Sequence, residues 1–163
     1  MKDKEFNIRI AKIRELTATN NISRWEMLRY CHDGIAVSLK SRFIPNPDKK
    51  QISLVIGTCY TSLRNMLRRH ILCYNIEVVF DIDPYPDDCD DASDRIKPPA
   101  ALLSIMYGSA IGALRGMLAL RLSNTFLRDY PLPLINISTL VSEQLYGTPV
   151  SEKSIPLTGF IYN

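Results

Sequence analysis

Strict alternation of apolar and polar side chains between residues 72 and 82 constrains the fold more than any other feature of this sequence. The apolar members are Leu72, Tyr74, Ile76, Val78, Phe80 and Ile82. Asn75, Glu77 and Asp81 lie between them and are polar, as a β-strand with one buried face and one solvent face requires. We therefore expect a strand over residues 71–82, in a sheet that is covered on one side.

Two shorter alternating runs precede this strand, over residues 35–43 and 52–60. The segment between them contains Pro45 and Pro47, which end a strand and favour a turn. These runs predict an antiparallel hairpin whose next strand is 71–82. A fourth strand is expected over residues 7–14, although the apolar residues there also fit the spacing of a helix.

The apolar spacing becomes helical after residue 97. Pro98 and Pro99 suit the first turn of a helix, where a missing N–H group costs nothing, and Pro131 prevents its continuation. We expect a long helix over residues 98–127 and a short one over 138–146. With 46% hydrophobic and 23% charged residues, the 163-residue chain is predicted to be a single α+β domain over 1–163. Its four-stranded antiparallel sheet is followed by a long helix and a short C-terminal helix.

The segment 100–120 is also long and apolar enough to suggest a membrane span. Arg115 argues against this, because a charge near the centre of a span costs roughly 2.5–3.5 kcal/mol on insertion scales. Many of the other residues are Gly, Ala or Ser, which contribute little to insertion. We therefore expect a helix buried in a protein core and no membrane insertion.

Gly108, Gly112 and Gly116 recur every four residues within this helix. Each helical glycine costs about 1 kcal/mol relative to alanine, so three on one stripe favour a closely packed neighbour. That neighbour is either the sheet of the same chain or another subunit. We expect a homo-oligomer, dimer or tetramer, in which Gly112→Leu weakens folding or assembly through overpacking by roughly 1–3 kcal/mol.

No group of residues in the sequence spells out a catalytic or metal centre. Cys31, Cys59, Cys73 and Cys89 stand singly, and their spacing from the two histidines is not that of a zinc site. Cysteines in apolar strands more often pack a core, and the first residues form no apolar signal segment. We therefore expect a cytoplasmic protein that is not an enzyme and that binds no metal or cofactor.

The charges are segregated along the chain. Residues 77–94 hold eight acids and no base, whereas the preceding part is basic. The acidic run is either a solvated loop or a docking patch for a basic partner. The basic cluster Arg64, Arg68, Arg69 and His70 leaves a second class of function open, that of a basic adaptor for nucleic acid or one dedicated protein. Because no nucleic-acid motif accompanies the cluster, nucleic acid is the less favoured partner.

The stretch TFL…YPLPLIN at residues 125–136, with Leu140 after it, is similar to the segment that follows the long helix in SecB-type protein-export chaperones. The order of four strands, a proline-led helix and a short helix also resembles this family. The resemblance implies a holdase that binds unfolded or non-native polypeptide in an apolar groove between the long helix, the next segment and the sheet. Candidate groove residues are Met106, Met117, Leu132, Leu134, Ile135, Leu140 and Leu145, which otherwise pack the helices on the sheet.

The resemblance also implies partners. Family members assemble as dimers of dimers, which would place the glycine-bearing helix or an edge strand at a subunit contact. Docking to the translocation motor uses an acidic sheet surface, which only Glu77, Asp81 and Asp83 could supply in this basic chain. Specialised relatives serve antitoxins of toxin–antitoxin systems instead. Residues 104–110 replace the Phe-Pro-Tyr-Ala-Arg run of the family, so this chain would be a divergent member.

Overall fold

The computed structural model describes residues 5–22, 34–62, 69–86, 98–146 and 154–162, the last of these by their backbone. Within this part the chain is an α+β protein with an antiparallel sheet, a long helix and a short helix, which confirms the predicted fold class. The strands and helices are β1 (Asn7–Asn20), β2 (Ile35–Asn46), β3 (Gln51–Ser62), β4 (Arg69–Asp83), α1 (Ala100–Leu122), α2 (Ile137–Tyr146) and β5 (Ser154–Tyr162).

The strand order across the sheet is β1-β4-β3-β2-β5, and every neighbouring pair is antiparallel. β2, β3 and β4 follow one another as hairpins, and β1 returns beside β4, which is the arrangement of a Greek key. The predicted turn before β3 is a short 3₁₀ helix over Pro47–Lys49, where the side chain of Asn46 accepts a hydrogen bond from the N–H of Lys49. β5 is a fifth strand that the sequence patterns did not predict.

The alternation in β4 has the predicted structural meaning. Its apolar residues are at most 1% exposed, and the face that they form packs beneath α1, which lies on β3 and β4. Leu103, Met106, Ala110 and Leu114 form the buried side of the helix. On the β2 side, Tyr107 hydrogen-bonds Ser41 at 3.1 Å, so that α1 is tied to the sheet.

α1 ends at Leu122, five residues earlier than predicted, and the cause is local. The side chain of Thr125 accepts a hydrogen bond from the N–H of Leu127 and so caps a separate 3₁₀ helix over Phe126–Asp129. α1 is long and apolar enough to cross a membrane by length and composition alone. In this fold its apolar residues supply the layer that covers the centre of the sheet.

Candidate functional site

The inner face of β1 is largely uncovered, although it belongs to the same sheet as the buried core. The register pairs Ile10 with Phe80 and Ile13 with Val78, so both isoleucines lie on the face of β4 that packs against α1. Phe80 and Val78 are 1% and 0% exposed, whereas Ile10 and Ile13 are 46% and 41% exposed. Leu16, at an irregularity of the strand, is 40% exposed. The described part of the chain therefore leaves an apolar strip open along β1.

A polar junction holds the end of α1 against this strip. The Glu15 carboxylate accepts hydrogen bonds from Arg121 at 2.8 and 3.0 Å and from the Tyr74 hydroxyl at 2.9 Å. The Arg121 guanidinium also lies 5.1 Å from the centre of the Tyr74 ring. Burial, together with the neighbouring Glu15 carboxylate, raises the pKa of Tyr74. Because the junction joins β1 to α1, the uncovered strip borders the helix.

The side of α1 that faces away from the sheet carries the glycine stripe. No described atom lies within 4 Å of the place that a Cβ would take at Gly112 or Gly116, whereas Ile137 in α2 lies 3.6 Å from that place at Gly108. Ile105 and Leu120 on the same helix are 50% and 78% exposed. The described residues of the sheet therefore do not supply the close neighbour expected at Gly112 and Gly116.

The seven candidate groove residues divide into three groups. Met106, Leu132 and Leu140 are at most 4% exposed and pack in the core, as the alternative interpretation of these residues has it. Met117, Ile135 and Leu145 are partly buried against that core, and Leu134 is 82% exposed. Tyr146, at the end of α2, is 85% exposed and was not among the predicted residues. Leu134 and Tyr146, which lie just before α2 and at its last residue, are therefore the large apolar side chains of this region that remain mostly exposed.

The segment that bears Leu134 is fixed to the rest of the molecule by backbone contacts. The Tyr60 hydroxyl donates a hydrogen bond to the carbonyl of Tyr130 at 2.9 Å, and Arg115 donates one to the carbonyl of Pro133 at 3.0 Å. Arg115, the residue that argued against a membrane span, thus binds this segment to α1. These contacts hold the segment that contains Leu134 against α1 and β3.

The acids predicted as a docking surface are compensated by cations. Glu77 pairs with Arg14, Asp81 with Arg9 and Asp83 with Lys50. Asp81 accepts two hydrogen bonds from Arg9, at 2.6 and 3.0 Å, and one from Gln51 at 2.8 Å. Hydrogen bonds from Arg9, and next from Gln51, lower the pKa of Asp81. A basic partner would have to displace these contacts in order to bind the three acids. The rest of the acidic run, residues 87–94, lies outside the described residues.

Two of the four cysteines are joined, which differs from the expected pattern of single thiols in the core. Cys59 and Cys73 are opposite each other on β3 and β4 and form a disulfide bond. They alternate with the buried residues of their strands and are half-buried on the outer face of the sheet. The other cysteines, Cys31 and Cys89, lie outside the described residues, as do Arg64 and Arg68 of the basic cluster.

No model of a known protein family matches this sequence, and no curated protein is significantly similar to it. Its function is therefore inferred from the surfaces described above. They comprise an uncovered strip on β1, a free side of α1, and the exposed side chains of Leu134 and Tyr146. Each of these surfaces offers contact area for another polypeptide.

Proposed function

We propose that this protein is a divergent SecB-like chaperone that holds non-native polypeptide and acts as a homo-oligomer in the cytoplasm. It carries out no chemical reaction and requires no cofactor. The order of the strands and helices, together with the resemblance at residues 125–140, supports this assignment. A holdase needs exposed apolar surface on a stable scaffold, because its clients are recognised by the apolar side chains that they have failed to bury.

The client contacts are made by two exposed apolar side chains at the two ends of α2, Leu134 just before it and Tyr146 at its last residue. These two residues are the most exposed large apolar side chains of the described part of the chain, at 82% and 85%, and this observation carries the proposal. Ile135 and Leu145, their half-buried sequence neighbours, extend these contacts towards the core. Since the contacts are apolar and few, they bind many sequences weakly, as a holdase must.

The assembly surface is the region around β1 and the free side of α1. β1 is an edge strand of 14 residues, so one row of its N–H and C=O groups has no partner in the described sheet. The same strand of a second copy can pair with that row about a two-fold axis. Gly112 and Gly116 permit the close approach of a second helix, and Ile10 and Ile13 become buried.

Suppression of aggregation tests the client contacts. The protein is mixed with an unfolded model protein, and light scattering is followed as the chaperone concentration rises. Leu134→Lys is expected to raise the concentration needed for half-suppression by about tenfold or more, because burying one leucine is worth roughly 1.5–3 kcal/mol. Ile44→Lys is the matched control, since Ile44 is 39% exposed but lies on the outer face of β2. Equal effects of the two substitutions, or no suppression by the wild type, would contradict the proposal.

The ion pairs of the sheet bear on the dedicated partner. Docking of a translocation motor to Glu77, Asp81 and Asp83 would compete with Arg14, Arg9 and Lys50, which already bind these carboxylates. We therefore favour a dedicated client, such as the unfolded part of an antitoxin, over the motor. Docking of the motor to these acids would weaken strongly as the salt concentration rises, whereas binding of an apolar client segment would not.

One observation favours the second candidate function, that of a basic adaptor for nucleic acid. Lys12, Lys40 and Arg42 are exposed on the outer face of the sheet and have no ion-pair partner among the described residues. A salt titration of DNA binding distinguishes this function from the holdase. A steep loss of binding with rising salt that Arg42→Glu reduces, combined with failure to suppress aggregation, would favour the adaptor.

A further inference from the structure

Three potential metal ligands lie close together on the outer face of the sheet. Cys59, His70 and Cys73 each offer one ligand atom, and these atoms all lie within 4.8 Å of one another. Cys59 and Cys73 face each other across β3 and β4, with their Cα atoms 4.1 Å apart. His70 is exposed, and both cysteines are half-buried, so solvent reaches the group.

The imidazole ring of His70 is also oriented by a neighbour. Its Nδ1 atom lies 3.1 Å from the hydroxyl oxygen of Thr61, which is its partner in the β3–β4 register. Metal-bound histidines commonly use one ring nitrogen for the metal and the other for such an outer hydrogen bond, which fixes the ring. The contact with Thr61 therefore restrains the His70 ring, whereas the ring of an ordinary surface histidine is free to rotate.

We propose that Cys59, Cys73 and His70 form a zinc site when the two cysteines are reduced, and that the disulfide is the closed form of this site. Two thiolates and one imidazole are the ligand types that zinc prefers over harder cations. Three protein ligands leave the fourth tetrahedral position for a water molecule. The site is independent of the proposed holdase function.

A dithiol reductant converts the disulfide form into the form that binds zinc. The reductant transfers two electrons and two protons to the Cys59–Cys73 disulfide and becomes a disulfide itself. Zn²⁺ then forms two Zn–S bonds, and the two thiol protons pass to solvent. In the reverse direction zinc leaves, and the two thiolates form the Cys59–Cys73 bond by giving two electrons to a disulfide oxidant, which takes two protons from solvent and becomes a dithiol.

Either form cross-links β3 and β4 close to their connection. The last pairs of this hairpin are Thr61 with His70 and Ser62 with Arg69, and a single pair, Tyr60 with Leu72, separates them from the cysteine pair. The end of the hairpin would thus be held by a covalent bond under oxidising conditions and by zinc under reducing ones. Free thiols without zinc would leave only the backbone ladder to hold it.

Binding of Zn²⁺ and Co²⁺ to the purified full-length protein tests the site. The background is Cys31→Ser/Cys89→Ser, which leaves Cys59 and Cys73 as the only thiols. After reduction by a phosphine, which is then removed, we expect one Zn²⁺ per chain by calorimetry and thiolate-to-cobalt charge-transfer bands with Co²⁺. The oxidised protein is expected to bind neither ion, and affinity rises with pH because the thiols must lose their protons.

Variants of the ligands separate a built site from two adventitious thiols. His70→Gln is expected to weaken Zn²⁺ binding by at least about 10- to 100-fold, the loss that even an outer-sphere partner causes. His32→Gln is the matched control and should leave binding unchanged. Thermal unfolding of each variant accompanies the titration, so that a loss of binding is distinguished from a loss of the fold. Equal affinity of the wild type and His70→Gln, or no binding by the reduced and folded protein, would overturn the zinc assignment.

Discussion

β4 and β1 are neighbours in one sheet and carry apolar side chains on the same face, but only β4 is covered. The inner residues of β4 are at most 1% exposed, whereas Ile10, Ile13 and Leu16 of β1 are 40–46% exposed. The width of the covering layer explains the difference. A helix with its side chains is about 10–12 Å across and strands are about 4.8 Å apart, so one helix covers roughly two strands. α1 lies on β3 and β4, and β1 remains outside its cover.

A strand can therefore be paired along its whole length in a sheet while part of its apolar face remains exposed. On the β2 side, the ring of Tyr107 packs edge-on against Phe43 and its hydroxyl hydrogen-bonds Ser41, so that α1 covers this strand there. On the β1 side the described residues provide the polar junction of Glu15 with Arg121 and partial cover for Ile8 and Ala18, while Ile10 and Ile13 stay exposed. We propose that a second copy of the chain covers the exposed strip.

The largest expected effect comes from matched truncations on the two strands. Ile76→Ala in β4 should cost about 2–5 kcal/mol of unfolding free energy, because Ile76 is fully buried. Ile13→Ala in β1 should cost about 1 kcal/mol or less in the separated chain, since Ile13 is 41% exposed. Urea unfolding at low and high protein concentration measures both. A cost at Ile13 that grows with concentration would show that assembly buries it, and equal costs at low concentration would contradict the comparison.

The next effect concerns the outer face of the sheet at Gly57. A Cβ there would lie 1.7 Å from the side-chain oxygen of Asn75 and 3.0 Å from the carbonyl oxygen of Tyr74. The Asn75 side chain also donates a hydrogen bond to Thr17 in β1 at 2.8 Å, which ties β1 to β4. Gly57→Ala should therefore destabilise the protein by roughly 1–3 kcal/mol. Adding Asn75→Ala should recover part of this loss, and full additivity in the double variant would contradict the proposed clash.

A smaller effect is expected at Gly112. A larger side chain there should stabilise the separated chain but weaken its assembly into an oligomer. No described atom is near enough for a leucine to clash within the chain, so Gly112→Leu should stabilise the separated chain by roughly 0.5–1 kcal/mol. A second helix packed on this stripe would be pushed away, so the same substitution should lower the oligomer mass. Calorimetry and light scattering on one sample separate the effects. Destabilisation of the separated chain would show that the free side of α1 is not free.

The smallest effect is electrostatic and belongs to the outer side of the β1–β4 pair. Arg9 and Gln51 lower the pKa of Asp81, so the ionised carboxylate contributes stability above its unfolded pKa of about 3.9. That contribution is lost as the pH falls through the lower folded pKa. Arg9→Gln should raise the Asp81 pKa towards its ordinary value, which an NMR titration of the carboxyl carbon measures. An unchanged pKa would show that the ion pair does not persist in solution.

Most of the fold was predictable from the sequence because local patterns determine it. The alternation of β4, the prolines before β3 and the proline-led start of α1 each act over a few residues. Alternation of apolar and polar residues indicates which face of a strand is apolar, but not whether another element covers that face. The length of β1 and the coverage of its inner face depend on elements that are distant in the sequence. Likewise, the pairing of Cys59 with Cys73 and the approach of His70 follow from strand register, which residue spacing alone does not reveal.

The mass of the protein in solution tests the central claim, that a second copy covers β1 and the free side of α1. Multi-angle light scattering at micromolar concentration should give a mass at least twice the 18.5 kDa of the chain. Ile13→Lys, which places a charge on the uncovered strip, should reduce that mass to one chain while Ile44→Lys leaves it unchanged. A wild-type protein that stays at 18.5 kDa over the whole concentration range would contradict the claim.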